Sequence, residues 1–284
     1  VLQLATRALQ HLSEEEGFYR MLALIMLGSA RRALSDIPAA NAALQQAGML
    51  GRQLGYPLGE LGALVNLAFN LIEQGELREA RVLCEEAMLY HVDRKGRPLP
   101  VLGMVYIPYA QVLFLENDLS HAQEYARRGL LLCRQLFSSI IMGGDAEAVL
   151  ALSAMVEGRV QEAFEITEST HLAALQKSLI PLAGKMELLK AMLALRCNDL
   201  AAVQIWLSGN PTALHASEPG LILQARFYLQ QRESGSAMRI LNGLEQTLVQ
   251  TGKRGRLLQV QLLFAWACEI EGDLPRALNY LNAA

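Results

Sequence analysis

Apolar and small residues recur along this chain at the spacing of paired α-helices. A short pattern appears seven times: a small or polar residue, an acidic or polar residue, a residue that is apolar in six of the seven matches, two variable residues, and a small residue that is usually Ala. Its last residue stands at positions 40, 80, 122, 163, 203, 237 and 277, so most steps are 40 to 42 residues. The pattern predicts a run of helices in which each match joins two of them.

Each match has the composition of a turn between two helices, as Gly75-Glu76-Leu77-Arg78-Glu79-Ala80 illustrates. Gly suits the left-handed residue that ends the first helix, and the acidic residue lies near the positive N-terminus of the second. The Ala, and a small residue twelve positions before it, are predicted to lie where the two helices cross closely. An apolar residue follows four positions after the Ala in most matches.

The predicted architecture is similar to the tetratricopeptide repeat (TPR), whose period of 34 residues is here lengthened by about two helical turns. We therefore expect an all-α fold, a right-handed superhelical solenoid of about seven TPR-like repeats that forms a single domain over residues 1–284. The repeat centres are expected near 35–40, 75–80, 117–122, 158–163, 198–203, 232–237 and 272–277.

One repeat step is only 34 residues long, between positions 203 and 237. Asn210-Pro211 is predicted to truncate the second helix of repeat five, and a looser segment is expected over 212–220. The chain starts without Met and stops in an apolar helix, and neither end has the polar character of a capping repeat. We therefore expect it to be a piece of a longer protein.

Composition narrows the classes of partner. Hydrophobic residues make up 52 % and charged residues 19 %, and the net charge of −3 argues against direct nucleic-acid contact by this chain. The longest apolar stretch, 101–115, contains Pro108 and is too short to span a bilayer, so a buried helix and no membrane contact are expected. The four cysteines lack CxxC spacing, which indicates reduced thiols and a cytoplasmic protein.

No catalytic or metal-binding motif stands out: the phosphate loop, the GxSxG elbow and HExxH do not occur. A helical glycosidase needs two facing carboxylates, and the predicted inward acids are sparse. We therefore expect no enzyme, no metal and no cofactor in this chain. The histidines are scattered, and we expect solvated or helix-end positions for His11, His91, His121, His171 and His215.

Lys253-Arg254-Gly255-Arg256 forms the one basic cluster of the sequence. A phosphate group or an acidic partner is one interpretation, and a solvated loop between repeats is the simpler one.

A solenoid normally binds its ligands in the groove lined by the first helix of each repeat. Fixed offsets within these helices, together with two tyrosines on the third of them, select the ligand or partner residues Arg32, Phe69, Glu73, Tyr106, Tyr109, Gln111, Arg196, Arg226, Trp266 and Glu269. The same offsets also select Ile25, Ser29, Val65, Ile107 and Met192. Isolated Arg, Gln, Trp and Tyr on an apolar wall suit a small polar ligand or a peptide. Packing or solvated residues are the alternative interpretation.

A family resemblance is carried mainly by residues 84–163. Its segments are Cys84-Glu85-Glu86-Ala87, Gly96-Arg97-Pro98-Leu99-Pro100, the apolar 101–115, Glu116-Asn117-Asp118-Leu119 and 148–163. This order resembles the helical-repeat region of MalT-type regulators, which are large ATP-dependent transcription activators with a LuxR-type DNA-binding domain. The flanks 12–45 and 218–284 fit the same repeat order, so the resemblance extends over nearly the whole chain.

The resemblance implies a bacterial, cytoplasmic regulator in which an NTPase module precedes the repeats and a helix-turn-helix module follows them. ATP is then expected on the N-terminal module and not on this chain. The repeats would sense a small-molecule effector or a regulatory protein and couple it to self-association and transcription activation. The alternative is a stand-alone TPR scaffold or peptide-binding regulator. A peptide would contact several repeats, whereas a small effector would occupy one pocket.

Overall fold

The computed structural model describes residues 1–136, 143–209 and 214–284. Within these residues the regular elements are fifteen α-helices and one 3-10 turn, Pro100–Leu102. In chain order the helices are α1 (Leu2–His11), α2 (Gly17–Ala33), α3 (Ile37–Gln53), α4 (Pro57–Gln74), α5 (Leu77–Tyr90), α6 (Gly103–Leu115), α7 (Leu119–Leu136), α8 (Gly143–Val156), α9 (Val160–Gln176), α10 (Ile180–Arg196), α11 (Leu200–Ser208), α12 (Glu218–Gln230), α13 (Ser234–Thr251), α14 (Arg254–Glu271) and α15 (Leu274–Ala283).

Each of the seven sequence matches joins two consecutive helices, from α2 and α3 to α14 and α15. The prediction of an all-α chain of about seven helix pairs is therefore confirmed. We call the earlier member of each pair the first helix and the later member the second helix.

The turn inside each pair depends on one left-handed residue. All seven residues that open the sequence pattern have positive φ values, between 59° and 82°: Ser35, Gly75, Asn117, Gly158, Asn198, Arg232 and Gly272. Gly75 adopts this conformation without steric cost, and its N–H bonds to the carbonyl of Ile72. The next residue is an N-cap in several pairs: Asp199 accepts from the N–H of Ala202 at 3.0 Å and Asp273 from the N–H of Arg276 at 3.1 Å.

The small residues of the pattern lie where the helices cross, as predicted. Ala40, Ala80, Ala122, Ala163, Val203 and Ala237 are completely buried, and Ala277 nearly so. In the first pair, a Cβ added to Gly28 would lie 2.6 Å from Cγ of Leu44 and 3.2 Å from the carbonyl oxygen of Ala40. The repeat pattern is thus a packing pattern that keeps two helices close.

Repeat five is short, as its step in the sequence indicates. Its second helix, α11, has 9 residues, whereas α9 and α10 have 17 each. Asn210-Pro211 and the start of the looser segment lie outside the described residues. The end of that segment is a turn that leads to Ser217, whose hydroxyl caps α12.

The chain forms two compact units, Val1–Val149 and Leu150–Ala284. In the first unit, α2 packs against α4 and α4 packs against α6; in the second, α10 packs against α12 and α12 packs against α14. First helices therefore lie side by side within each unit. Apolar residues of α2, α3 and α4, including Met21 and Leu44, form one core of the first unit. Phe264 and Leu241 belong to a core of the second unit.

The apolar stretch 101–115 is a buried helix, as predicted. Every residue of α6 from Gly103 to Leu113 is buried except Gln111, which is partly exposed. In the described part of the chain, no helix combines the length and the apolar character that a bilayer crossing requires.

Candidate functional site

The predicted groove residues divide between the two units. In the first unit, Arg32 lies on α2, Phe69 and Glu73 on α4, and Gln111 on α6, and all four are partly buried. Phe69 packs against a cluster of buried residues from α4, α5 and α6. Val65 and Ile107, which the same offsets selected in this unit, are buried core residues. The apolar candidates of this unit therefore contribute to packing.

The structure corrects the placement of Tyr106 and Tyr109, which were predicted to line the apolar wall of the groove. Both are buried, with 5 % and 7 % exposure, and both rings meet Tyr125 of α7 edge to face, at 5.3 and 4.7 Å between centroids. The Tyr109 hydroxyl donates to Glu85 of α5 at 2.9 Å. Burial and the Glu85 carboxylate raise the pKa of Tyr109. These tyrosines join three helices and are not free to hold a ligand.

Two of the histidines, His91 and His171, are buried. His91 follows the last residue of α5, which is a helix-end position as expected, whereas His171 lies within α9 and differs from the expectation. Nδ1 of His91 lies 2.9 Å from the carbonyl oxygen of Ala87, and its Nε2 lies 3.3 Å from Glu60. Glu60, itself buried, also accepts from Nε of Arg52 at 2.8 Å. A histidine that follows a helix can thus join a polar network with earlier helices, here α3 and α4, which spacing alone does not reveal.

In the second unit, three predicted residues meet in one cavity between three successive first helices. Arg196 of α10, Arg226 of α12 and Trp266 of α14 line it, together with Gln230 and Gln259. The rest of its wall is apolar: Met192, Leu195, Ile222, Leu223, Leu262 and Leu263. The cavity volume is about 330 Å³. We call it the arginine pocket. Glu269, the remaining predicted residue, is exposed one turn beyond Trp266 and does not line it.

Arg226 is the more buried of the two arginines that line the arginine pocket. Its side chain is partly buried, and no ion pair or hydrogen bond to it occurs among the described residues. Burial, followed by the positive charges of Arg196 and Arg256, lowers the pKa of Arg226. A guanidinium held among apolar groups and like charges is destabilised until an anion approaches it.

The side-chain amide of Gln230 is only half satisfied. Its Nε2 donates to the carbonyl oxygen of Leu195 at 3.3 Å, which fixes the orientation of the amide. Its Oε1 is buried and accepts no hydrogen bond. The pocket therefore has a cation in a largely apolar wall, and one of its lining residues, Gln230, keeps a buried acceptor without a partner.

The sequence offsets missed Gln230 and Gln259. Gln230 lies four residues after Arg226, and Gln259 lies seven residues before Trp266. Residues separated by four or seven positions lie on the same face of a helix. Extending the offsets by one or two helical turns would therefore have selected both glutamines.

The basic cluster Lys253-Arg254-Gly255-Arg256 is not a solvated loop. It forms the beginning of α14, with Lys253 as the residue that precedes the helix. Nζ of Lys253 donates to Glu218 at 2.8 Å, and both side chains are largely buried. The charge of Arg256 acts on Arg226. Part of the cluster is thus structural and part adds positive charge near the arginine pocket.

A second cavity of the same unit, about 520 Å³, is lined by residues of α9, α10 and α11 and by His215. Its polar groups have protein partners. Lys190 forms an ion pair with Glu168, and Glu187 lies 3.8 Å from His171. His215 stacks on Trp206 with 4.1 Å between ring centroids. These pairs favour a structural role, in contrast to the open groups of the arginine pocket.

Within 1–136, 143–209 and 214–284, no three His, Cys, Asp or Glu side chains come together as a metal site would require. Cys84 and Cys133 are buried free thiols, and burial raises the pKa of Cys84 to about 12 and that of Cys133 to about 11. Thiols in this state are weak nucleophiles.

Comparison with known proteins gives one result at the level of a family. No curated protein matches the chain. The family described as the MalT-like TPR region matches residues 1–284. The helix pairs, the left-handed turn residues and the small crossing residues are those of such repeats. Because the match spans all of these residues, the chain belongs to the family of MalT-like TPR regions.

Proposed function

We propose that this chain is the sensor and protein-interaction region of a MalT-like, LuxR-family transcriptional regulator. An effector or partner would bind the surface formed by the first helices, and binding would be coupled to self-association and transcription activation. The observation that carries the proposal is the arginine pocket, where Arg196, Arg226 and Trp266 of three successive first helices share one cavity. Family membership supports the regulatory context.

The size of the pocket favours a small effector over an extended peptide. Sites for small molecules usually have volumes of roughly 300–1,000 Å³, and the arginine pocket, at about 330 Å³, is at the lower end. A stand-alone scaffold that bound a peptide would use a surface extending over several repeats. That alternative remains the second candidate, and the size of the bound ligand distinguishes the two.

In this proposal the chain acts by binding and performs no catalysis. ATP would be bound by an N-terminal module of the regulator, and DNA by a C-terminal module, in the bacterial cytoplasm. An effector would act by binding more tightly to one arrangement of the helices than to another, because only differential affinity shifts an equilibrium. A pocket shared by three helices suits this role, since its shape depends on how these helices pack.

A thermal-shift screen tests the proposal. The panel contains sugars, amino acids, aromatic acids and short peptides. A ligand at about one hundred times its dissociation constant stabilises a fold by roughly 2.7 kcal/mol, which raises Tm measurably. We expect a small-molecule hit whose shift is lost in Leu262→Trp, because the larger side chain fills the pocket.

Leu258→Trp is the matched control for this screen. Leu258 lies one turn earlier on α14, is similarly exposed and does not line the pocket, so the variant should respond to the ligand like the wild type. A hit that Leu262→Trp leaves unchanged would contradict this location of the site. Binding of peptides alone, over several repeats, would support the scaffold function instead.

A further inference from the structure

The arginines of this chain differ in how their charges are compensated. Arg31 donates to Asp36 at 2.8 Å, and Arg81 forms an ion pair with Glu116. Arg226 is partly buried as they are, but no carboxylate pairs with it in the part of the chain that the structure describes. The groups that act on its charge are Arg196 and Arg256, which are also cations.

An uncompensated guanidinium of this kind is costly for the fold. Partly buried charges are normally paired, since desolvation and like charges both disfavour the ionised form. A fold that only required the packing of this side chain would be better served by Met or Leu. The arrangement is explained if the missing counter-charge is supplied by a ligand.

The surroundings of Arg226 define the remainder of that ligand. Leucine, isoleucine and methionine side chains form most of the wall, and the indole of Trp266 offers a flat surface. The buried Oε1 of Gln230 accepts no hydrogen bond, so a donor on the ligand would satisfy it. An ion such as free phosphate would leave the apolar wall unused.

We propose that the arginine pocket binds a small organic oxyanion, a carboxylate or phosphate carried on an apolar body, with the anionic group bound by Arg226 and the body against Trp266. Arg196 and Arg256 increase the positive potential, and the planar guanidinium matches an oxyanion through two parallel hydrogen bonds. This assignment rests on the proposed effector site and names the chemical class of its ligand.

The test compares two acids with a neutral analogue of one of them. Phenylacetate, phenyl phosphate and phenylacetamide are titrated into the full 284-residue chain at constant ionic strength, with Tm and tryptophan fluorescence as readouts. At least one of the two acids should raise Tm and change the emission of Trp266. The amide should bind at least about tenfold more weakly, because it lacks the charge that Arg226 requires. Comparison of the two acids distinguishes a carboxylate site from a phosphate site.

Arg226→Met removes the cation and keeps most of the apolar stem. It should abolish the response to the acids and raise the Tm of the ligand-free chain, because an uncompensated charge is lost. Arg226→Gln, which introduces a neutral polar side chain, should also abolish the response to the acids. Arg239→Met is the matched control: it removes one arginine from the exposed side of α13 and should leave the response to the acids intact.

The outcomes separate this inference from the proposed function. Equal binding of phenylacetamide and the acids, or an unchanged response in Arg226→Met, overturns the oxyanion assignment. A clear fall in the ligand-free Tm of Arg226→Met also overturns it, since the guanidinium would then be stabilised by the protein itself. If neither acid binds, the assignment fails. A neutral ligand whose effect is lost in Leu262→Trp would still support the effector site.

Discussion

Two sets of polar side chains, one in each unit, are arranged differently. In the first unit, the Glu60 carboxylate accepts a hydrogen bond from Nε of Arg52 at 2.8 Å and lies 3.3 Å from Nε2 of His91. The Tyr109 hydroxyl donates a hydrogen bond to Glu85. In the second unit, Arg226 lines a cavity and has no partner among the described residues, and the buried Oε1 of Gln230 accepts no hydrogen bond. Both arrangements are formed by helix pairs of the same type, with small residues where the helices cross.

The difference separates two uses of one repeat. A partly buried polar group that binds another part of the chain fixes the packing of its helices, so its removal should cost stability. A group left open does not stabilise the ligand-free fold and is available to a ligand. The comparison therefore predicts large stability effects in the first unit and small ones at the arginine pocket.

The largest effect is expected for Gly51→Ala, at the contact between α3 and α4. A Cβ at Gly51 would lie 2.6 Å from the backbone nitrogen of Glu60 and 2.9 Å from its Cα. Backbone atoms cannot rotate away, so the helices must separate, and we expect a loss of about 3 kcal/mol. Urea unfolding followed by far-UV circular dichroism measures it.

Gly62→Ala is the control for this substitution. A Cβ at Gly62 of α4 meets nothing within 4 Å, and Ala is favoured over Gly in a helix by about 1 kcal/mol. The control should therefore be neutral or stabilising. Equal stability of the two variants would mean that the first unit is less closely packed than the structure indicates.

Glu60→Ala is expected to cost about 2 kcal/mol, because it leaves the buried His91 without its carboxylate. Hydrogen exchange of peptides from α4 and α5 measures the loss where it occurs. Glu86→Ala, an exposed position on α5, should change stability by less than about 0.5 kcal/mol. If both variants behave alike, the network around Glu60 is not a stabilising element.

The repeated parts of the fold were predictable because they are local. The small crossing residues and the turn residues such as Gly75 and Asp199 recur with the period of the repeat, so the sequence specifies them seven times. The burial of His91 was not predictable in this way. Its partner Glu60 lies 31 residues earlier, and no periodic signal connects the two.

The candidate site was predictable only in part. Helix offsets selected Arg196, Arg226 and Trp266, which do meet, but the same offsets selected Val65 and Ile107, which are core residues. An offset specifies the face of a helix on which a residue lies. A cavity, in contrast, is the space that the side chains of neighbouring helices do not fill, and it can be identified only from the packed structure.

Tyr109→Phe should cost about 1 kcal/mol near neutral pH, since it removes one hydrogen bond to Glu85. The fold raises the pKa of Tyr109, so its neutral form is favoured in the native state. The resulting stabilisation is complete below the ordinary tyrosine pKa of about 10 and is lost as pH rises through the raised value. Phenylalanine has no ionisable group, so the variant does not lose stability through this titration at alkaline pH.

The stability difference between wild type and Tyr109→Phe should therefore shrink as pH increases above about 10. Urea unfolding at neutral and alkaline pH measures it, and titrations of other groups cancel in the difference. Tyr90→Phe is the control, since Tyr90 is 76 % exposed and should show no such trend. A difference that is independent of pH would contradict the buried, hydrogen-bonded state of Tyr109.

The smallest effect is expected for Gln230→Met at the arginine pocket. The substitution removes a long hydrogen bond to Leu195 and also removes the buried acceptor that has no partner. These two consequences oppose each other, so ligand-free stability should change by less than about 0.5 kcal/mol. Both tryptophans of the chain, Trp206 and Trp266, lie in the second unit, so fluorescence-detected urea unfolding reports on this variant directly. A loss of unfolding free energy comparable to that of Glu60→Ala would show that Gln230 belongs to a structural network. The proposed difference between the polar groups of the two units would then be wrong at the arginine pocket itself.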